Sequence, residues 1–355
     1  MAKRKATTPK ASNKIKDFDP NSAPSGDGIY ALPHSAADAK LVFIPVPFEA
    51  TTSYLGGTSK GPDAIRRASH QVDLFHPDFP DFWRQGAAML PTPKKILELN
   101  KTAKAAAIKS RKLPENSKER KKLVEKVNLI SNQVNEWVAH TTRSLIADGK
   151  IVGLIGGDHS TPFGAIQETL KAYPRMSILH LDAHFDLRQS YEGFHYSHAS
   201  IFYNVVSQLP LDRLVQFGIR DFCEAELEFA QANSQITVFT DREIFDRKAR
   251  GQNWSQITNE IIESLSSEVY LSFDIDGLEP SFCPATGTPV PGGLHFNEVS
   301  YLLQKIADSG RKIVGFDLCE VGPEEWDANV GARMLFQMMV QCLRSAASER
   351  MAAIR

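Results

Sequence analysis

The chain has 355 residues, with 41 Lys and Arg against 42 Asp and Glu, 42% apolar residues and four cysteines. That length exceeds one minimal domain but suits a single large α/β domain, and near-zero net charge argues against binding a polyanion by bulk charge. No run of about 18 apolar residues exists to span a membrane. Cys223, Cys283, Cys319 and Cys342 include no C-x-x-C pair, and four thiols in a chain this long are no disulfide scaffold, which predicts a reducing, cytoplasmic address.

In chain order, the first element is a tail. Residues 1–16 carry six basic groups, no acid and no apolar core, so they read as no secretory signal. The Ser-, Pro-, Asn- and Lys-rich composition predicts disorder through residue 28, with one domain over 29–355. The strand-length apolar runs are Leu41–Val46, Ile151–Ile155, Ser177–Leu181, Leu214–Phe217, Ile236–Phe239, Val269–Phe273 and Lys312–Phe316. Between the first two lies a basic Ala/Lys-rich insertion, 94–126, broken at Pro114. It carries 12 basic and four acidic residues and is expected to be solvated helix. Tail and insertion together leave a net of −15 on the rest of the chain. Neither interleaves aromatics with its charges, so no nucleic-acid partner is expected. Val127, Ile130, Val134, Trp137, Thr141 and Leu145 repeat at helical spacing, as do Leu335, Met338, Met339, Cys342 and Leu343. Strands alternating with helices predict an α/β fold, a mostly parallel sheet covered on both faces.

In such sheets ligands bind beyond the carboxyl ends of the strands. Four predicted strands run into Gly156-Gly157-Asp158-His159-Ser160, Asp182-Ala183-His184-Phe185-Asp186, Asp274-Ile275-Asp276-Gly277 and Asp317-Leu318-Cys319-Glu320. Alternate residues of extended chain project to one side. Asp182, His184 and Asp186 therefore share a cleft, as do Asp274 and Asp276. With His159 they make four carboxylates and two imidazoles, and five of the ten histidines fall between His159 and His198. Such a cluster repels itself unless cations neutralise it, and two divalent ions offset four carboxylates. An oxygen-rich set without thiolate favours Mn²⁺, with nickel or cobalt also compatible. Two metals sharing carboxylates lower the pKa of a bridging water, which implies hydrolysis.

These three His/Asp motifs resemble the signatures of the ureohydrolases, the family of arginase, agmatinase and relatives. Pro280, Gly287-Thr288-Pro289 and Gly292-Gly293 extend the third signature, and Gly61-Pro62-Asp63-Ala64-Ile65-Arg66 resembles the family's N-terminal element. The resemblance spans about Val42 to Leu343. It implies an arginase-like three-layer αβα sandwich, two metals on His159, Asp182, His184, Asp186, Asp274 and Asp276, and commonly a homo-trimer or homo-hexamer. It also implies hydroxide attack on a guanidinium carbon, releasing urea and an amine from a small guanidino substrate. Asp186 would take the hydroxide proton. His198, in Tyr196-Ser197-His198-Ala199-Ser200, matches the family's proton shuttle, with His195 a competing residue. Glu320 matches the carboxylate that pairs with the guanidinium, and Asp221 the position contacting the substrate's distal end.

Asp186-Leu187-Arg188 and His198-Ala199-Ser200 resemble agmatinase-like sequences more than arginase, so agmatine, the precursor of putrescine in polyamine biosynthesis, is the expected substrate. Arg188 facing a substrate carboxylate, or Trp326 closing a small pocket, would instead suit a guanidino acid or free guanidine. A non-catalytic relative and a zinc amide hydrolase of deacetylase type are the alternatives from other classes. Glu279, in place of the usual Asp before Pro280, is expected to adjust a turn.

Overall fold

The β-branched and aromatic runs form strands β1 (Leu41–Val46), β3 (Ile151–Gly156), β4 (Ser177–Leu181), β5 (Leu214–Ile219), β6 (Ile236–Thr240), β7 (Glu268–Asp274) and β8 (Lys312–Cys319). A further strand, β2 (Ala87–Met89), is three residues of Ala-Ala-Met with no periodicity to betray it. The computed structural model describes residue 15 and residues 17–352. The six basic groups of the tail lie outside the described residues. Within 17–28, Phe18 packs its ring 5.5 Å from that of Trp83.

The strands form one sheet in the order β2-β1-β3-β8-β7-β4-β5-β6, and every pairing is parallel. Parallel neighbours need crossover connections, and these bury both faces of the sheet. In β1, Val42, Ile44 and Val46 join a core on one face while Leu41 and Phe43 join the core on the other. Helices α2 (Lys94–Arg111), α3 (Lys118–Ala147), α4 (Phe163–Ala172), α5 (Ile201–Gln208) and α6 (Glu224–Ala232) cover the first face. The second is covered by α1 (Gly61–Ala68), α7 (Asp241–Ala249), α8 (Trp254–Glu263), α9 (Phe296–Asp308) and α10 (Glu325–Ala352). The three-layer αβα architecture is the expected one, with a sheet entirely rather than mostly parallel. No helix among the described residues is long and apolar enough to cross a membrane.

The basic stretch 94–126 corrects one expectation. It breaks around Pro114 into α2 and α3, and Ser117 caps α3 by accepting the Arg120 N–H at 3.1 Å. It is not simply solvated, however. Ile96, Ala103, Ala106 and Ala107 of α2 are buried beside β1 and α3, because the alanines between the lysines fall on one helical face.

Strands β3, β8, β7 and β4 are adjacent, so their carboxyl ends set the four motifs side by side on one rim. The backbone at Gly157, just past β3, passes so close to the chain at Phe48 that a Cβ would lie 2.1 Å from the Phe48 carbonyl oxygen. Glycine there lets the loop after β1 fold over the strand ends.

Candidate active site

Asp182, immediately after β4, is buried and faces two groups of donors. Its Oδ2 lies 3.0 Å from His159 Nδ1, which is also 3.2 Å from Asp186 Oδ2 and 3.5 Å from Asp274 Oδ2. Its Oδ1 lies 3.3 Å from His184 Nδ1, which is 3.2 Å from Asp276 Oδ2. All six predicted ligands thus converge as two sets sharing Asp182.

The orientation of these ligands is imposed by residues the strand-end motifs did not single out as ligands. Ser272 Oγ donates to Asp317 Oδ1 at 3.0 Å and so accepts from His159 Nε2, 3.0 Å away. That commits the Nε2–H of His159 to Ser272 and turns Nδ1 toward the carboxylates. His180 is fixed in the same way. Gln216 Nε2 donates to His180 Nδ1 at 2.9 Å and to the Phe185 carbonyl at 2.8 Å, so His180 Nε2–H donates to Asp182 Oδ2 at 2.8 Å. With both ring nitrogens committed, His180 orients Asp182. Its alternation with Asp182 along one strand was the available signal for it.

These residues converge, but not all of them by strand alternation. Asp186 has φ +55, a left-handed conformation, and reaches the cleft by a turn of the backbone. Ile275–Gly277 is a single 3-10 turn, with Asp274 Oδ1 accepting the Asp276 N–H at 3.0 Å. Asp317 and Cys319 lie inside β8, three residues longer than the apolar run that marks them.

The cleft, about 240 Å³, is lined by Asp182, His184, Asp186, Asp274, His198 and Glu320 in its depths and by Arg188 and Asp221 at its mouth. Glu320 is buried at φ +60 directly after β8. Its Oε1 accepts the His159 N–H at 3.2 Å, and its Oε2 has no partner. Gly287 packs so tightly there that a Cβ would lie 2.2 Å from Glu320 Oε2. Any side chain at 287 would fill the space this oxygen faces.

His198 is buried, with Nδ1 3.3 Å from Thr51 Oγ1 and its ring edge-on to Tyr191 at 5.8 Å. Burial, followed by the charges of His184 and Arg111, pushes its pKa down to about 3, so the imidazole is neutral at pH 7. The competing His195 is exposed and lies in a different surface groove with Asn128 and Glu192. Asp221 is largely exposed, with Oδ2 3.9 Å from His184 Nε2. Neighbouring Arg220 spends its donors on the carbonyls of Gly218, Asp276, Leu278 and Val290, leaving Asp221 without an ion pair to it. Arg188 lies 3.5 Å from Glu226 Oε2 and 5.2 Å from the Tyr191 ring centroid. Trp326 does not reach the cleft. It is more than half exposed, donates to the Ser281 carbonyl at 2.9 Å and lies beside Phe282 and Phe296 on another surface, because the turn after Glu320 carries the chain away before α10 begins. Glu279 accepts the Ser281 N–H at 3.1 Å and so closes the turn expected of it.

The donor set fits a pair of divalent cations. Burial and the charge of Asp182 raise the Asp186 pKa to about 7, and burial with Asp276 and Glu320 raises Asp274 well above the usual carboxylate range. Buried oxygens with such a preference for neutrality are satisfied by cations as well as by protons.

Residues 39–344 match the arginase family. The chain is 30% identical over 290 residues to the N(1)-aminopropylagmatine ureohydrolase of Thermus thermophilus, covering 81% of this chain and 84% of that one. It is 27% identical to the agmatinase of Bacillus subtilis, covering 85% and 92%. Among solved structures, the agmatine ureohydrolase of Thermoplasma volcanium superposes with a TM-score of 0.71 at 24% identity, over 95% of this chain and 99% of that one. A family match over most of the chain, a relative 30% identical over four-fifths of it and a shared fold lead to one conclusion: this chain is a member of the arginase family.

Proposed function

We propose that this protein is a guanidino-group hydrolase that releases urea and an amine, with agmatine as substrate and putrescine as the second product. The observation that carries the reading is Glu320, which lines the cleft containing the two donor sets and whose buried Oε2 has no partner. A planar guanidinium offers paired N–H donors and a positive charge to such an oxygen. Burial and the charges of Asp276 and Asp158 raise the Glu320 pKa, so a cation arriving there is what favours its ionised form.

His159, Asp182, His184, Asp186, Asp274 and Asp276 are the residues that would hold two metal ions. Manganese is favoured by the oxygen-rich donors. When bound, such a pair supplies Lewis acidity that activates water at neutral pH. Glu320 orients the guanidinium so that its carbon faces that water. Asp186 takes the proton the water loses. His198, neutral and buried beside the cleft, takes up a proton and delivers it to the leaving amine. Asp221 at the mouth faces the distal ammonium of a dication. The name of the Thermus relative, which acts on a longer polycation, agrees with a cleft open at this end. Four free cysteines support a cytoplasmic location.

Arg188 favours a second reading, a guanidino acid. Its one ion pair, with Glu226, is long, and Glu226 already accepts the Leu187 and Cys223 N–H groups at 3.1 Å each. Urea release from agmatine, N(1)-aminopropylagmatine, arginine, guanidinobutyrate, guanidinopropionate and guanidine decides between them. The highest kcat/KM with agmatine is expected. A preference for guanidinobutyrate supports the second reading, and urea from none of the six overturns the activity.

A further inference from the structure

The residue that holds His198 comes from the other end of the sheet. We propose that Thr51, on the loop after β1, is a positioning residue for His198, and that Arg111, at the end of the basic helix α2, holds Thr51 in place. This rests on the reading of His198 as proton donor to the leaving amine.

Thr51 Oγ1 has three polar neighbours. It lies 3.1 Å from the His198 N–H, 3.3 Å from His198 Nδ1 and 3.2 Å from Asp158 Oδ2. A hydroxyl has one proton and two lone pairs. Asp158 accepts from every other polar neighbour it has here, namely Thr51 N–H, Ser160 N–H and Ser160 Oγ–H, so it accepts the Thr51 proton as well. The two lone pairs then accept the His198 backbone N–H and Nδ1–H. Neutral His198 is thereby set in the Nδ1–H tautomer, with the Nε2 lone pair free to take up and pass on a proton. The same hydroxyl fixes both the backbone and the ring of His198, so ring position and tautomer are set together.

Thr51 is itself held from outside the sheet. Arg111 Nη2 donates to the Thr51 carbonyl at 2.8 Å, and Nε donates to Glu192 Oε2 at 2.6 Å. Glu192 stands at φ +56 in the turn closed by Tyr191 and Phe194, on the loop that leads to His198. One guanidinium therefore ties together the two loops that carry Thr51 and His198. One loop is anchored a second time from α2, where Lys104 pairs with buried Glu49. Glu49 in turn accepts the Gly57 and Ser59 N–H groups at 2.8 and 2.6 Å. The basic stretch thus has a task that its charge alone does not suggest.

The test compares Thr51→Val, which keeps shape but loses the hydroxyl, with Thr51→Ser, which keeps it, each alone and with His198→Ala. Metal content, kcat and KM for the best guanidino substrate are measured. Thr51→Val is expected to lower kcat about 10-fold or more, with KM within twofold and metal content unchanged. Thr51→Ser should retain at least fivefold more turnover than Thr51→Val. On the His198→Ala background, Thr51→Val should cost nothing further, since residues acting as a unit are non-additive. Arg111→Gln gives a second route if Thr51→Val fails to fold, with a smaller kcat loss that likewise vanishes on the His198→Ala background. Unchanged kcat in the folded variants, or losses fully additive with His198→Ala, overturns the proposal. Full turnover by His198→Ala alone overturns the shuttle reading instead, and the positioning role with it.

Discussion

Glu320 Oε1 accepts the backbone N–H of His159 at 3.2 Å, so the residue proposed to face the substrate is tied to the chain at the first proposed ligand. The contact fixes one oxygen of the carboxylate and leaves the other buried without a partner. Glu320→Gln keeps an oxygen for the His159 N–H but removes the charge. The expected result is unchanged metal content with kcat/KM lowered about 10²-fold or more, read by steady-state urea assay alongside elemental analysis. Loss of metal would mean that Glu320 acts through His159 and not on substrate.

His180 separates orientation from ligation. If it aims Asp182 without binding metal, His180→Gln weakens metal affinity about 10–100-fold, and excess metal restores turnover. Asp274→Ala, a ligand change, should lose metal and most activity at any metal concentration while the fold survives. Metal titrations of both variants with urea release as the readout test this contrast.

The metal-free protein should lose stability as pH rises above about 6.5. Burial and neighbouring carboxylates hold the pKa of Asp186 at about 7 and those of Asp274 and Glu320 well above their usual range. Such groups keep protons in the fold that the unfolded chain has shed, so stability falls as pH climbs from about 4 through their raised values. Burial works to lower His159 and His184, but bonds to Asp182 and the charge of Asp276 outweigh it and raise both. Their stabilisation is present below about 6.5 and lost as pH rises through the raised values. His198, pushed down to about 3, acts in the opposite sense only below about 6.5, and depressed Asp182 only below about 4. Between pH 6.5 and 8.5 only the raised groups still titrate, and each of them pulls downward. Thermal melts should show Tm of the stripped protein falling over that range and manganese raising Tm more at 8.5 than at 6.5. A rising Tm for stripped protein contradicts this.

Substrate choice should respond to the mouth of the cleft. Arg188→Ala removes a cation from the path of the substrate, so kcat/KM should shift toward agmatine and away from guanidinobutyrate. Asp221→Asn removes a largely exposed charge and should raise KM for agmatine only about 2–5-fold. Competition assays with the two substrates measure both. A shift toward guanidinobutyrate in Arg188→Ala would contradict the placement of Arg188 beside the distal group.

Most of the His/Asp cluster was legible because it sits in short motifs. Asp182, His184 and Asp186 fall within five residues, and their strand is marked by a β-branched and apolar run. The supports were less legible because they come from distant segments. Thr51 meets His198 across 147 positions, and nothing local in Ala50-Thr51-Thr52 announces it. Arg111 is one of 12 basic residues in its stretch, and charge counting hides the two, Arg111 and Lys104, that turn inward to the loops. Trp326 shows the reverse. Proximity in sequence to Glu320 left a pocket wall open beside plain packing at a helix start, and the turn between them carries it to another surface.

The most direct test of the account is urea formation by metal-stripped protein as manganese is added back in counted equivalents, with agmatine at saturation. Two donor sets sharing Asp182 predict activity that rises to a plateau at two equivalents per chain. A plateau at one equivalent, or no urea at any loading, would contradict it.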